Sequence, residues 1–469
     1  MNQSNPPMDA TVEIAPAATP RNELSRSLQR RHLTMISIGG IIGAGLFVSS
    51  STAVHAAGPA VFLSYAIAGL LILLVMRSLA EMATALPQVR TFTEFARAGL
   101  GDGAGFVVGW LYWYFWVLVV PVEAIAGAKI LHLWIPGTPL QIGLALMTIM
   151  TIVNLLSARS YAEFEFWFAS IKVAAILTFI AIAASFAFGW TAPNGATFQN
   201  LTAFGGFTPQ GWLAVIATVP VVFFAMTGAE ITMIAAAESA HPGVAVARMG
   251  SAVIGRILLF YVVSIFFIMC VVPWNLVISG ESPFTLALNT MHVPAAGKIM
   301  SVIILTAVLS CMSSAFYVSS RVLFVMADKG DAPPALVRLS RRRVPVISVL
   351  MSAAAGFLGI IAVTQAPQQV FDFLVSSSGA LGVMVYMAIL VAQIALRRRR
   401  EARGEPAAPV NMWFFPWLSI LALLGMTTVL LAMAFTPSMQ TDFKASCITI
   451  LLSIVAYGLV RWKRGARAP

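Results

Sequence analysis

Gly39-Gly40-Ile41-Ile42-Gly43-Ala44-Gly45-Leu46-Phe47 lies in an apolar run long enough to cross a membrane, yet it is rich in the residues least able to hold a helix. A second apolar run carries Phe223-Phe224-Ala225-Met226-Thr227-Gly228-Ala229-Glu230 near its middle. Hydrocarbon offers a freed amide or carbonyl no hydrogen-bond partner. A helix break at membrane depth therefore persists only where it faces protein, a cavity or a ligand. Two breaks in corresponding positions of two halves of a chain point to a binding site between them. A plainer reading stands beside this one: Gly39 and Gly43 are four apart, a spacing of small residues that lets helices pack closely.

The chain has 469 residues, 59% hydrophobic and only 10% charged. Soluble domains carry about 25% charged residues, so this composition is that of a membrane protein. Apolar runs of about 20 residues span a bilayer. We read twelve, at about 33–54, 59–82, 104–131, 139–158, 166–188, 211–237, 250–272, 296–320, 345–365, 370–396, 412–435 and 443–462. With the N-terminus in the cytoplasm, all 29 Lys and Arg fall on the cytoplasmic side except Lys129, Lys298 and Lys444. The net charge of +11 thus orients the protein, with both termini inside, and calls for no nucleic-acid partner. Residues 1–20 lack a charged leader followed by an apolar core, so no cleaved signal peptide is expected and they read as disordered, within a cytoplasmic tail over 1–31.

The breaks fall in spans one and six. Those spans correspond if residues 32–194 (spans 1–5) and 195–400 (spans 6–10) are two repeats of opposite orientation, followed by spans 11–12 over 401–462 and a short tail over 463–469. The expected fold class is an all-α integral membrane protein with twelve transmembrane helices, a 5+5 inverted repeat plus two C-terminal helices.

Few residues carry chemistry at membrane depth. At the first break, Gly43, Ala44 and Gly45 would expose amide N–H groups at a half-helix N-terminus, which favours a carboxylate. At the second stand Thr227, Gly228, Ala229 and Glu230; intramembrane acids are costly and usually functional, although Glu230 would also serve to stabilise an unwound segment. Glu123, beyond the aromatic run Trp110 to Trp116 in span three, would meet a cationic group or a proton, or simply bond a neighbouring helix. Lys172, two turns into span five, either snorkels or carries a coupled proton. Arg77 and Glu81 share a helix face, and Arg321, Asp328 and Asp331 cluster after span eight; they suggest a cytoplasmic gate of ion pairs or a solvated face. Cys270, Cys311 and Cys447 sit in spans and suggest no disulfide framework, and the histidines at 32, 55, 132, 241 and 292 lack ligand spacing. No cofactor, metal or catalytic motif is expected, which argues against an enzyme.

Arg31-His32-Leu33-Thr34-Met35, Gly40-Ile41-Ile42-Gly43-Ala44-Gly45-Leu46-Phe47, Leu79-Ala80-Glu81-Met82, Gly228-Ala229-Glu230, Ala237-Glu238-Ser239 and Gly330-Asp331-Ala332-Pro333 together resemble amino acid permeases of the amino acid–polyamine–organocation superfamily. The stretch from Gly109 to Ala124, with Glu163-Phe164-Glu165-Phe166-Trp167 and Phe373 to Ala380, is most similar to the γ-aminobutyrate (GABA) permeases. The resemblance implies a leucine-transporter-type fold in the cell inner membrane and uptake of a small zwitterion with a proton. It further implies that the first break takes the carboxylate, that the second takes the amine, and that Lys172 stands where sodium-coupled relatives hold sodium. One departure is Ala240-His241-Pro242, where the family more often has an acidic or Asn/Thr residue before the proline. GABA separates its charges by three methylenes, so its amine needs an acid displaced from the first break; Glu123 and Glu230 are the acids available. A broader permease for proline, aromatic or basic amino acids is the alternative. A nutrient sensor without transport, a channel and an intramembrane enzyme are rivals of other classes.

Overall fold

The computed structural model describes residues 42–86, 89, 91–156, 158–231, 259–363 and 367–465. The tail over 1–31, the Arg31 to Met35 motif, residues Gly39 to Ile41, and Glu238 with the Ala240-His241-Pro242 departure lie outside them. Within the described residues the chain is helical. In order come α1 (Ala44–Phe47), α2 (Ser50–Ala57), α3 (Val61–Ala85), α4 (Phe92–Leu100), α5 (Asp102–Leu131), α6 (Pro139–Leu156), α7 (Ala158–Ala187), α8 (Gly211–Ala217) and α9 (Val219–Met226). A π turn, Leu259–Val263, then leads into α10 (Ser264–Val271), followed by α11 (Pro283–Thr290), α12 (Ala296–Asp328), α13 (Val346–Val363), α14 (Pro367–Ala402), α15 (Trp417–Phe435) and α16 (Gln440–Gly465).

Eight helical stretches among the described residues are long and apolar enough to cross a bilayer; Gly211–Met226, Leu259–Val271 and Val346–Ala362 are shorter and equally apolar. The spans differ in what they face. The most apolar window of α5 is 78% buried, while that of the last span, Pro437–Trp462, is 6% buried. The centre of the bundle is thus α5, which packs against α12 and α14 and buries Tyr112, Phe115 and Trp116. The last span presents its leucines and isoleucines outward, as a helix bathed in lipid does. Two connections between predicted spans hold short helices. One is α4, between the second and third predicted spans. The other is α11, whose start is capped by Ser282 accepting from the Thr285 amide at 3.4 Å.

The second predicted break is present; at the first, Gly43 is extended (φ −134°, ψ −150°), while Ala44 and Gly45 lie in the one-turn helix α1, after which the chain turns again. Between α1 and α2 the chain turns at Val48 and Ser49. There the Ser50 hydroxyl donates to the Leu46 carbonyl at 2.5 Å and the Ser51 hydroxyl to the Val48 carbonyl at 2.6 Å. These hydroxyls replace the partners that hydrocarbon withholds. After α9, Thr227 is extended (φ −70°, ψ 144°) and Gly228 has φ 126°, a region that side-chain-bearing residues rarely adopt. The Thr227 hydroxyl donates back to the Phe223 carbonyl at 2.6 Å.

Close helix contacts rest on missing side chains. A β-carbon built on Gly379 of α14 would stand 1.9 Å from the Pro220 carbonyl oxygen of α9, a backbone atom that cannot rotate away. At Gly382, one turn on, the nearest atoms would be 3.6 Å off, an ordinary contact. Gly379→Ala is therefore expected to cost about 1–3 kcal/mol by overpacking, and Gly382→Ala little. Thermal unfolding of the two purified variants in one detergent checks this contrast: the first should melt below wild type and the second close to it.

Candidate functional site

The two breaks meet. A β-carbon on Gly45 would lie 2.5 Å from the Ala225 α-carbon, so the half-helix after the first break touches the half-helix before the second, backbone to backbone. Gly45 thus serves close packing, which is also what brings the two breaks together; the Gly39–Gly43 spacing lies partly outside the described residues. Gly43 is equally confined: its β-carbon would meet the Cys311 side chain of α12 at 2.5 Å and Glu123 Oε1 at 2.6 Å.

Gly43 separates two backbone groups, the Ile42 carbonyl before it and the Ala44 amide after it. An ionisable side chain of suitable sign takes each. The Ala44 N–H donates to both oxygens of Glu123, at 3.1 and 3.0 Å. Lys172 Nζ donates to the Ile42 carbonyl at 2.9 Å and to the Ser310 hydroxyl at 2.8 Å. Glu165, one step further, accepts from Ser310 Oγ at 2.5 Å and places its other oxygen 3.6 Å from Lys172 Nζ. Glu123 and Glu165 are each 1% exposed and Lys172 is fully buried. Charges so far from water are tolerable only when paired and hydrogen-bonded, as these are.

The second break is closed by its own acid. Glu230 Oε2 accepts from the Gly228 amide at 3.0 Å and from the Tyr386 hydroxyl of α14 at 2.5 Å, and Oε1 accepts from the Tyr112 hydroxyl of α5 at 3.0 Å. Three donors on one carboxylate hold the unwound turn and tie it to two neighbouring helices. Thr227 and Ala229 flank this turn, buried, and the Tyr261 hydroxyl donates to the Ala225 carbonyl beside it at 2.8 Å.

Gly43, Ala44, Gly45, Glu123 and Lys172 thus come together at the first break, and Thr227, Gly228, Ala229 and Glu230 at the second. The expected gate is corrected in its pairings. Arg77 and Glu81 do not pair. Arg77 donates to the Asn411 carbonyl at 2.8 Å and lies over the Trp413 ring, while Glu81 accepts from Gln393 at 3.0 Å and the Met412 amide at 2.7 Å, with Arg397 at 3.5 Å. Asp331 pairs with Arg97 of α4, and the Arg321 guanidinium sits 4.0 Å over the Tyr317 ring and donates to Ser320. Sequence neighbourhood suggested the wrong partners because segments distant in sequence, α4 and residues 411–413, supply the right ones. Missed altogether were the roles of Glu165, Ser310 and Tyr386. Glu165 had one signal available: seven residues before Lys172, it shares that residue's helix face. Among the described residues no cluster of His, Cys, Asp and Glu is fit to hold a metal ion.

A family profile described as amino acid permease matches residues 32–468. A γ-aminobutyric acid permease of Bacillus subtilis is 40% identical over 444 residues, covering 94% of each chain. One of Escherichia coli is 41% identical over 455 residues, covering 94% of this chain and 96% of its own. An aromatic amino acid transport protein of Salmonella typhimurium is 35% identical over 436 residues, 93% of this chain and 95% of its own. Among solved structures, a variant of the manganese transporter of Eremococcus coleocola superposes with a TM-score of 0.59 over 92% of this chain and 93% of that one; at 13% identity the likeness is one of fold.

The Glu230 cluster predicts a stability phenotype. Tyr386→Phe deletes one charge-assisted hydrogen bond to a buried carboxylate and should cost about 1.5–3 kcal/mol. In a Glu230→Gln background the same substitution should cost less, because the acceptor no longer carries charge. A double-mutant cycle by thermal unfolding measures the difference; independent, additive losses would show that Tyr386 acts elsewhere.

Proposed function

The chain belongs to the amino acid permease family, and on that premise we propose that it is a secondary active transporter that imports GABA together with a proton by alternating access. GABA is favoured over α-amino acids because the relatives bearing that name are 40–41% identical and the aromatic amino acid transporter is 35% identical. We read the chain as a multi-pass protein of the plasma membrane with twelve helices, both termini cytoplasmic, built as two inverted repeats over 32–194 and 195–400 with two further helices. The contact of Gly45 with Ala225 supports that arrangement, since paired repeats bring spans one and six together.

The observation that carries the reading is the carboxylate already seated on the first break. Glu123 accepts from the Ala44 amide with both oxygens, which supports reading this desolvated N–H as a carboxylate position. A substrate carboxylate replaces Glu123 there. The displaced Glu123 carboxylate then pairs with the amine at the other end of GABA, three methylenes away. Glu230, saturated by two tyrosines and Gly228, keeps the second break in shape, and Thr227 and Ala229 flank the bound molecule. Arg97–Asp331 and Glu81–Arg397 close the cytoplasmic side, with Arg77 and Arg321 bracing it.

Glu123→Gln keeps the shape and removes the charge. GABA affinity should fall by about 1.5–3 kcal/mol, roughly ten- to a hundredfold. Butyrate, which has no amine, should bind the variant no more weakly than wild type. Calorimetric titration separates this from a capping role alone, for which GABA would bind both forms equally or the variant more tightly.

Coupling to protons follows from Lys172, whose ammonium holds the Ile42 carbonyl between α1, α7 and α12. In proteoliposomes, uptake of labelled GABA is expected to follow an inward proton gradient with sodium absent. Strict dependence on sodium would overturn this.

A further inference from the structure

Lys172 has a partner that the uptake reading leaves without a task. Glu165 lies seven residues earlier on α7, about two turns nearer the helix start. Its two oxygens are directed at one place: Oε1 is 3.6 Å from Lys172 Nζ, and Oε2 accepts from Ser310 Oγ at 2.5 Å. Ser310 Oγ in turn accepts from Lys172 Nζ at 2.8 Å. A hydroxyl both donates and accepts, so Ser310 bridges ammonium and carboxylate in the one geometry that passes a proton without moving a heavy atom. Among the described residues the neighbouring elements bring few other titratable groups; on α7 itself Glu163 stands two residues before Glu165. On α12, Cys311 follows Ser310, and Glu123 of α5 lies within electrostatic reach of Lys172. The π turn brings Tyr261, bonded to Ala225, and α10 brings Cys270; α6 brings only the neutral Asn154.

We propose that Glu165 is the discharge site of the coupled proton, reached from Lys172 through the Ser310 hydroxyl. This rests on the proton reading of Lys172. In the loaded state the Lys172 ammonium holds the Ile42 carbonyl. On discharge an N–H bond of Lys172 breaks and its proton joins the Ser310 oxygen, while the original Ser310 O–H breaks and its proton forms an O–H bond on Glu165. Glu165 then gives that proton to cytoplasmic water and returns to carboxylate. Lys172, now a neutral amine, no longer holds the Ile42 carbonyl with a charged hydrogen bond, so discharge is tied to movement of span one. A proton from the outside, delivered to the amine after reorientation, resets the cycle. Glu165 suits the exit side because α7 begins in the cytoplasm in the proposed orientation, and Glu165 is the member of the pair nearer that end.

The test uses full-length protein in proteoliposomes loaded with a pH-sensitive dye. Two quantities are read: exchange of labelled GABA at equal concentrations on both sides, and proton influx driven by an inward GABA gradient. Wild type should show both. Glu165→Gln and Ser310→Ala should retain exchange and lose GABA-driven proton influx, because Lys172 keeps its charge but has nowhere to send its proton. Wild type that exchanges GABA without proton influx overturns the proton reading itself. Wild type that couples, together with variants that couple at the same ratio, overturns the role of Glu165 alone. If Glu165→Gln loses exchange and melts early, Ser310→Ala decides: coupled influx in that variant overturns the proposal, and its loss with exchange retained supports it.

Discussion

Everything at the centre of this molecule depends on how one interrupted helix is made tolerable. Around Gly43, which is extended, a carbonyl at Ile42 and an amide at Ala44 lie deep among the helices and need partners there. Such groups cost several kcal/mol each if unsatisfied. The solution is ionic and symmetric in charge: a lysine from α7 on the carbonyl and a glutamate from α5 on the amide. The two helices that supply them are thereby bound to the interrupted span.

The same logic recurs at the second break with neutral donors. Glu230 accepts from two tyrosines and from an amide of its own turn. The two breaks thus differ in kind. The second is locked by three donors on one acid, and releasing it means abandoning all three. The first is held by Glu123 on the Ala44 amide and by Lys172 on the Ile42 carbonyl. In the proposed cycle that asymmetry gives Glu230 the framework role and Glu123 the exchange with substrate.

Contacts between the helices come from absent side chains. Gly45 admits Ala225, Gly379 admits the Pro220 carbonyl, and Gly359 admits the Pro121 ring. In lipid, where apolar surface gains nothing by leaving one apolar medium for another, close van der Waals fit is what holds helices together. A glycine at a break therefore answers two demands at once. A bulky substitution at Gly43 or Gly45 would damage packing as well as any ligand contact, so loss of binding in such a variant would not by itself identify a binding residue.

The sequence by itself determined the membrane class, both breaks and the presence of three buried charges at Glu123, Lys172 and Glu230. Each of these follows from local physics: apolar run length, helix-weakening residues and the cost of a charge in hydrocarbon. Lys172 was legible as a neighbour of spans one, five and eight through family resemblance. Only the tertiary structure decided the partners. Nothing in a linear chain shows that the Glu123 carboxylate rests on Ala44 rather than waiting for an amine, that Tyr386 reaches Glu230, or that Glu81 turns to Met412 and Arg397 instead of Arg77. The i,i+4 spacing of Arg77 and Glu81 shows that they share a helix face, but a long side chain goes where desolvation leaves the strongest unpaired group. That group lay on segments hundreds of residues away. Burial and spacing are written along the chain; hydrogen-bond partnership at membrane depth is a competition among every group the fold brings near, and only the packed helices settle it.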